Sequence, residues 1–309
     1  MKERVLAILG AIALVAVAVL IRSALVGDGE QSSNSGGGSG GDRPVVACTA
    51  DLMTICEALE ADERIAKNSP TLDLDGASDP DAGIDAWITW DPAPQIANFD
   101  AGEPAVWQAA EPLGQARLSI AGTSAELSVA CPDGVAWACL ANVPAVNLTV
   151  GVGKPTTSEG LARLSPLAQT LAEDLDPASL SPAAQGLVLG PVQGQFDAAT
   201  MATQLVTFPG RSNFVVGPAA VLEARVQTEQ GRARQLTVTD PAPAAAATIV
   251  IAPRRDGGAD RVVDACDPDD ESSGFSDALR VVGATKRCAG TLADEQLAGF
   301  LFQVREKVS

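Results

Sequence analysis

From Val5 to Ile21 every position is apolar or Gly10, with Lys2 and Arg4 before the run and Arg22 after it. Extended weakly through Val26, the run is just long enough to cross a hydrocarbon core. Residues 5–26 are therefore expected to form one membrane-spanning anchor, with the basic residues 1–4 on the cytoplasmic side. A cleavable signal is the alternative. It is opposed by the lack of a small-x-small site after the run: Ala16-Val17-Ala18 lies inside it, and Arg22 separates it from Ser23-Ala24. Either reading exports the rest of the chain. Residues 27–43 are then a tether. Gly27 to Asp42 carries no apolar side chain, so nothing offsets the entropy of ordering it, and its expected reach is roughly 20–25 Å.

Beyond Pro44 the pattern changes to short apolar runs alternating with stretches of helical period. Strands are expected at Val45–Cys48, Thr71–Leu74, Ala86–Trp90, Leu118–Ala121, Asn147–Val152, Leu187–Leu189, Asn213–Val216, Gln235–Thr239 and Thr248–Ala252. Helices are expected at Leu52–Ala66, Ala93–Asn98, Ser158–Asp174, Ala198–Val206, Ala219–Thr228, Ser276–Val282 and Ala293–Lys307. Such alternation indicates an α/β fold of mostly parallel sheets flanked by helices. No GxGxxG follows the first strand and no GxxxxGK[ST] occurs, so a nucleotide-binding fold has no support.

Composition narrows the chemistry. The 309 residues are 46% apolar but only 4% aromatic, with no Tyr and no His. Without imidazole neither a Ser-His-Asp nor a Cys-His mechanism is available, and the usual zinc sites lose a ligand. The formal charge of −18 disfavours nucleic acid and anionic headgroups. Asp73–Asp85 and Asp267–Glu271 are acidic, but neither fits the EF-hand loop, and they are expected to be solvated loops. No cofactor and no metal are expected.

The six cysteines all follow the anchor. An even number in an exported chain indicates disulfides. Many pairings are open, and the spacing favours three local ones: Cys48–Cys56, Cys131–Cys139 and Cys266–Cys288. For the first, a helix packing back on the strand that precedes it brings Cys56, in its second turn, opposite Cys48. The second pair brackets the Pro132-Asp133-Gly134 turn signal.

The ordered segments Val45–Leu52, Asp85–Asp91, Gln115–Ala121, Val150–Leu161 and Gln235–Ala252 resemble the type II extracellular solute-binding proteins, most closely their molybdate/sulfate-like branch. The resemblance covers roughly 200 residues in loose motifs. From Asp256 onward the chain departs from the pattern, and the aromatic usual near the return strand is missing. The resemblance implies two lobes, one from residues 44–116 with 235–309 and the other from 117–234. It also implies a ligand cleft beyond the carboxyl ends of the strands.

Candidate ligand residues follow from that placement. Thr49 ends the first strand before a helix start; it either holds a ligand oxygen or caps the helix with Asp51, for which capping is expected. Thr156, Thr157 and Ser158 precede another helix; one is expected to cap and the others to face the cleft. Thr123 and Ser124 occupy a similar place after the crossover strand. Asp91, ending the second long strand, either meets a ligand or caps, and Trp90 before it either lines the cleft or packs in the core. Asn213 offers a neutral donor.

Three functions compete. The first is a membrane-tethered receptor for a small polar solute or oxyanion, without catalytic residues. The second is a fold-retaining protein that binds no ligand and docks on a cell-envelope partner. The third, a hydrolase using paired carboxylates, has no particular pair to support it.

Overall fold

A computed structural model describes residues 43–81, 83–188, 197–208, 210–256 and 273–308. The expected anchor, the expected tether up to Asp42, Leu189, Cys266 and the acidic run Asp267–Glu271 lie outside these residues. Among the described residues no helix is long and apolar enough to cross a membrane.

The chain enters through β1 (Val46–Cys48), three buried positions paired in parallel with β2 (Ala86–Trp90), itself buried throughout. β2 pairs antiparallel with β7 (Ala245–Pro253), and β7 with β3 (Glu111–Thr123). The sheet continues to β5 (Phe214–Pro218) and β4 (Val150–Gly151), while β6 (Leu236–Thr239) and β8 (Thr285–Lys286) also pair with β3. Among the described strands, parallel pairing joins β1 with β2 and β4 with β5, and the other pairs are antiparallel. The sheet is thus mixed, and the expectation of mostly parallel strands is corrected. The reason is the crossover: β3 leaves the first half of the fold and β7 re-enters it, so they run side by side in opposite directions over Glu111–Leu118. The far end of β3, Leu118–Thr123, pairs instead with β5 and β6. Residue 117 therefore falls inside β3, and residue 235 just before β6.

The first half carries α1 (Met53–Ala61) and α2 (Ala93–Ala101), against which the late helices α9 (Ser273–Val281) and α10 (Glu295–Val308) pack. The second half carries α3 (Ser124–Ala130), a 3-10 segment (Trp137–Val146), α4 (Ser158–Leu171), α5 (Pro182–Val188), α6 (Ala198–Thr207), α7 (Ala219–Val226) and α8 (Glu229–Ala233). Two expected strands are not formed. At Thr71–Leu74 only Thr71 bridges to Cys48, after which Leu74–Gly76 turns as a 3-10 helix. Leu187 and Val188 end α5, where Ala184, Leu187 and Val188 are buried at helical spacing. A short apolar run does not distinguish the two periods.

With no tyrosine available, four tryptophans supply the largest core side chains, and each indole N–H is satisfied. Trp87 donates to Leu72 O (3.0 Å), Trp107 to Ala77 O (2.8 Å), Trp137 to Pro243 O (2.9 Å) and Trp90 to Asp51 Oδ2 (2.6 Å). Buried polar atoms of this kind destabilise unless bonded.

The disulfides Cys48–Cys56 and Cys131–Cys139 are formed, with Cα separations of 6.3 and 5.3 Å. Cys56 does lie in the second turn sector of α1 opposite the end of β1. Cys288 is also disulfide-bonded, and its expected partner Cys266 is outside the described residues.

One element decides how the two halves meet. Helix α4 buries ten of its 14 residues. It packs on the 3-10 segment and α5 within its own half, and on β2, β7 and α10 of the other. A single apolar cluster consequently runs from Trp87 and Ile251 through Leu161, Leu164 and Leu167 to Leu297 and Leu301.

Candidate functional site

The site begins where β1 ends. Thr49 N–H donates to Ile88 O (3.1 Å), which keeps Thr49 at the strand edge, while Thr49 O accepts from Leu52 N–H (2.9 Å) and turns the chain into the 3-10 helix Ala50–Leu52. Thr49 is the N-cap residue, yet its side chain makes no capping bond. It is 2% exposed and its hydroxyl has no hydrogen-bond partner in the protein. The hydroxyl lies near enough to the Asp51 carboxyl to favour its ionised form, but without hydrogen-bond geometry. Asp51 does not cap either: its Oδ2 accepts the Trp90 indole N–H.

The facing wall is the turn from β4 into α4. Gly153 adopts φ +123°, a backbone that side chains rarely tolerate, and a Cβ there would meet the Arg163 guanidinium at 2.4 Å. Thr157 is the cap: its Oγ1 accepts from Gly160 N–H (3.2 Å) and donates to Lys154 O (3.0 Å). Ser158 is buried and Thr156 half-buried beside it. Thr49 and the Thr156–Ser158 turn line one cleft of about 660 Å³, together with Thr54, Trp90, Lys154 and the carboxylates Asp51, Asp73, Asp75, Glu159 and Asp197. Both halves of the fold thus contribute to the same cavity.

The charges in the cleft are internally arranged. Glu159, buried in the first turn of α4, receives Ala198 N–H from the start of α6 on Oε1 (3.2 Å) and faces Arg163 Nη2 from Oε2 (3.7 Å). Arg163 is sealed, 0% exposed, and also donates to Val216 O (3.1 Å). Burial pushes the Glu159 carboxyl above its ordinary value; Arg163 opposes that, and nearby Asp51 adds to it. The Asp51 carboxyl is likewise raised by the protein around it, against the Trp90 hydrogen bond. Asp51 keeps contact with water through the cleft mouth. Asp197 caps α6 through Thr200 N–H (2.7 Å). The starts of α4 and α6, where an oxyanion would sit, are therefore already occupied by Thr157, Glu159 and Asp197. Among the described residues no group of three or more carboxylates or thiols could hold a metal ion.

The other sequence candidates lie elsewhere. Asp91 does not cap α2; its Oδ2 accepts from Ala293 N–H (2.6 Å), tying the end of β2 to the approach to α10. It borders a second cavity of about 360 Å³ with Thr248, Ser165 and Thr170. Burial pushes its pKa up to about 6 despite that hydrogen bond. Thr123 caps α3 by accepting Glu126 N–H (3.2 Å) and donates its hydroxyl to Glu126 Oε2 (2.7 Å). Ser124 is exposed near Thr237. Asn213 holds the edge strands together, accepting Thr149 N–H (2.9 Å) and donating to Glu126 Oε1 (2.7 Å). None of these four lines the main cleft. The residues not singled out from the sequence are Glu159, Arg163 and the cleft-facing role of Asp51. A signal was present: Glu159 and Arg163 are four apart on a helix whose other buried positions, apart from Ser158 at its start, are apolar.

No family model and no curated protein matches the sequence. Solved structures do. A ferric binding protein from Campylobacter jejuni superposes with a TM-score of 0.55 at 11% identity, over 85% of this chain and 97% of that one. The fold is that of the two-lobed periplasmic binding proteins. A periplasmic binding protein from Actinobacillus pleuropneumoniae with fructose-6-phosphate bound gives 0.55 at 12% identity, over 86% and 96% of the two chains. A periplasmic thiamin binding protein gives 0.53 at 13%, over 86% and 96%. In the structure of this chain β3 and β7 run antiparallel between the two halves described above.

Proposed function

We propose that this chain is an extracytoplasmic solute-binding protein that captures a small polar solute between its lobes, without catalysing a reaction. One observation carries the reading: Thr49 of the first lobe and Thr156–Ser158 of the second line one cavity. Its volume of about 660 Å³ is within the range of small-molecule sites. The buried, unpartnered Thr49 hydroxyl is a group that a ligand would satisfy. The binding functions in the names of the similar folds, for iron, thiamin and a sugar phosphate, point the same way. The similar folds lend no support to the molybdate/sulfate-like branch in particular, and the start of α6 is already taken by Glu159 and Asp197.

The apolar run at residues 5–26 would hold this receptor at the membrane. Fractionation is expected to leave the chain with membranes until detergent is added, and a soluble form beginning between Ser23 and Pro44 contradicts anchoring.

One observation favours the ligand-free, partner-docking alternative: the apolar cluster that runs through α4 into both lobes, which resists their separation. A thermal-shift screen of the full chain against amines, sugars, sugar phosphates, amino acids and oxyanions separates the two. A specific solute at about a hundred times its Kd stabilises by about 2.7 kcal/mol. Receptor function predicts a saturable rise of this order with one chemical class. A flat response across all classes supports docking instead.

A further inference from the structure

We propose that the cleft selects a solute carrying a single cationic nitrogen, held between Asp51 of the first lobe and Glu159 of the second. This rests on the solute-binding reading and adds the charge class of the solute.

Five carboxylates and one lysine line the cleft. Asp75 pairs with Arg305 (3.0 Å) and Asp197 caps α6. Asp51 and Glu159 face the cleft from opposite lobes, Asp51 taking the Trp90 N–H on Oδ2 and Glu159 the Ala198 N–H on Oε1, and the charge of one acts on the other. Arg163 stands behind both and compensates one of them. The ionised trio therefore carries a net charge of −1, which one monovalent cation balances. Like charges on opposing lobes repel when the cleft closes, and a cation between them converts that repulsion into attraction. The charge would then select the solute and hold the lobes together in one step.

A second observation points to a polar ligand group at this wall. The Thr49 hydroxyl is buried without a hydrogen-bond partner in the cleft wall, and so is the Thr54 hydroxyl. An ammonium group has three N–H donors and no acceptor. It would find two carboxylates and the Thr49 hydroxyl as acceptors, with the buried Trp90 ring as an apolar wall for the carbon attached to it.

The test titrates the detergent-solubilised full chain with ethylammonium, ethanol and acetate at constant ionic strength, reading thermal midpoint and tryptophan fluorescence. These probes match in size and differ in charge. The proposal expects a saturable response to ethylammonium alone. It expects about tenfold or more loss of affinity in Asp51→Asn and in Glu159→Gln, as for a hydrogen bond to a charged group. Asp73→Asn removes the same charge from the same cleft but no bridge, and should stay within about twofold. Equal losses in Asp73→Asn and Asp51→Asn would show a diffuse field and overturn the bridge. Binding of ethanol or acetate as tight as ethylammonium overturns the charge class while leaving solute binding intact. If no fragment binds but the screen yields a neutral or anionic solute, the proposal likewise falls alone. If nothing binds in either experiment, it falls together with the reading beneath it.

Discussion

Arg163→Met is expected to destabilise the protein by about 3–5 kcal/mol, the cost of leaving a buried carboxylate without its partner. Arg163 is completely enclosed, its Nη1 donates to Val216 O and its Nη2 faces Glu159. Methionine retains part of the volume and none of the charge. The loss is also expected to depend on pH. The Glu159 carboxyl already titrates above its ordinary value of 4.5 in the folded state, chiefly through burial. A group whose pKa is raised by folding stabilises the fold below its unfolded value, and that contribution is lost as pH rises through the folded one. Removing Arg163 raises the folded value further, so the deficit should widen from about pH 4.5 toward neutrality. Glu159→Gln in the Arg163→Met background should recover part of it, which urea denaturation of the four proteins of the cycle measures. A single variant within about 1 kcal/mol of the parent at neutral pH would mean that the pair is not buried as described.

Gly160→Ala is expected to cost about 3 kcal/mol and to weaken solute binding with it. A Cβ at residue 160 would stand 2.0 Å from Lys154 O and 2.7 Å from Lys154 C, backbone atoms that cannot rotate away. Lys154 O is the acceptor for both Thr157 N–H and Thr157 Oγ1, so relief of the clash moves the whole Thr156–Ser158 turn. Overpacking of this severity reaches the upper part of the usual range. Gly186 in α5 is the control, because nothing lies within 4 Å of its added Cβ. Gly186→Ala should be neutral or stabilising by up to about 1 kcal/mol from helix propensity. Equal chemical-denaturation midpoints for the two variants would remove the steric account.

How far the sequence carries this picture can be judged from individual residues. β1, β2 and β5 were legible because each is an apolar run, interrupted only by Thr89 in β2, and all three are buried on both faces. The crossover was half legible. Leu118–Ala121 stands out, but Glu111–Arg117 mixes Pro, Gly and charged residues and joins the same strand only because β7 pairs with it. Thr49 and Thr156–Ser158 were placed in one cleft by family resemblance and strand order, and they do share a cavity. Asp91, Thr123, Ser124 and Asn213 meet the same local description, a polar residue at a strand end. Thr123 finds its partner Glu126 three residues on, a local Thr-x-x-Glu cap signal; the partners of the other three, Ala293, Thr237 and Thr149, are set by tertiary packing, which no local pattern records. The same applies to Glu159 and Arg163. Helical spacing pairs them, but only the approach of α4 to β2 and β7 buries the pair and turns it into part of the site.

The central claim, a solute held at the junction of Thr49 and the α4 turn, is tested most directly by Thr49→Val. Valine has the shape of threonine and lacks the hydroxyl that is 2% exposed as a residue and unpartnered. Without solute, the variant should be as stable as the parent or more so, since a buried polar group has been removed and no hydrogen bond lost. With the solute found by the screen, calorimetric titration should show affinity reduced about fivefold or more, the equivalent of one hydrogen bond. Unchanged affinity in Thr49→Val, for a solute that binds the parent saturably, would contradict the site.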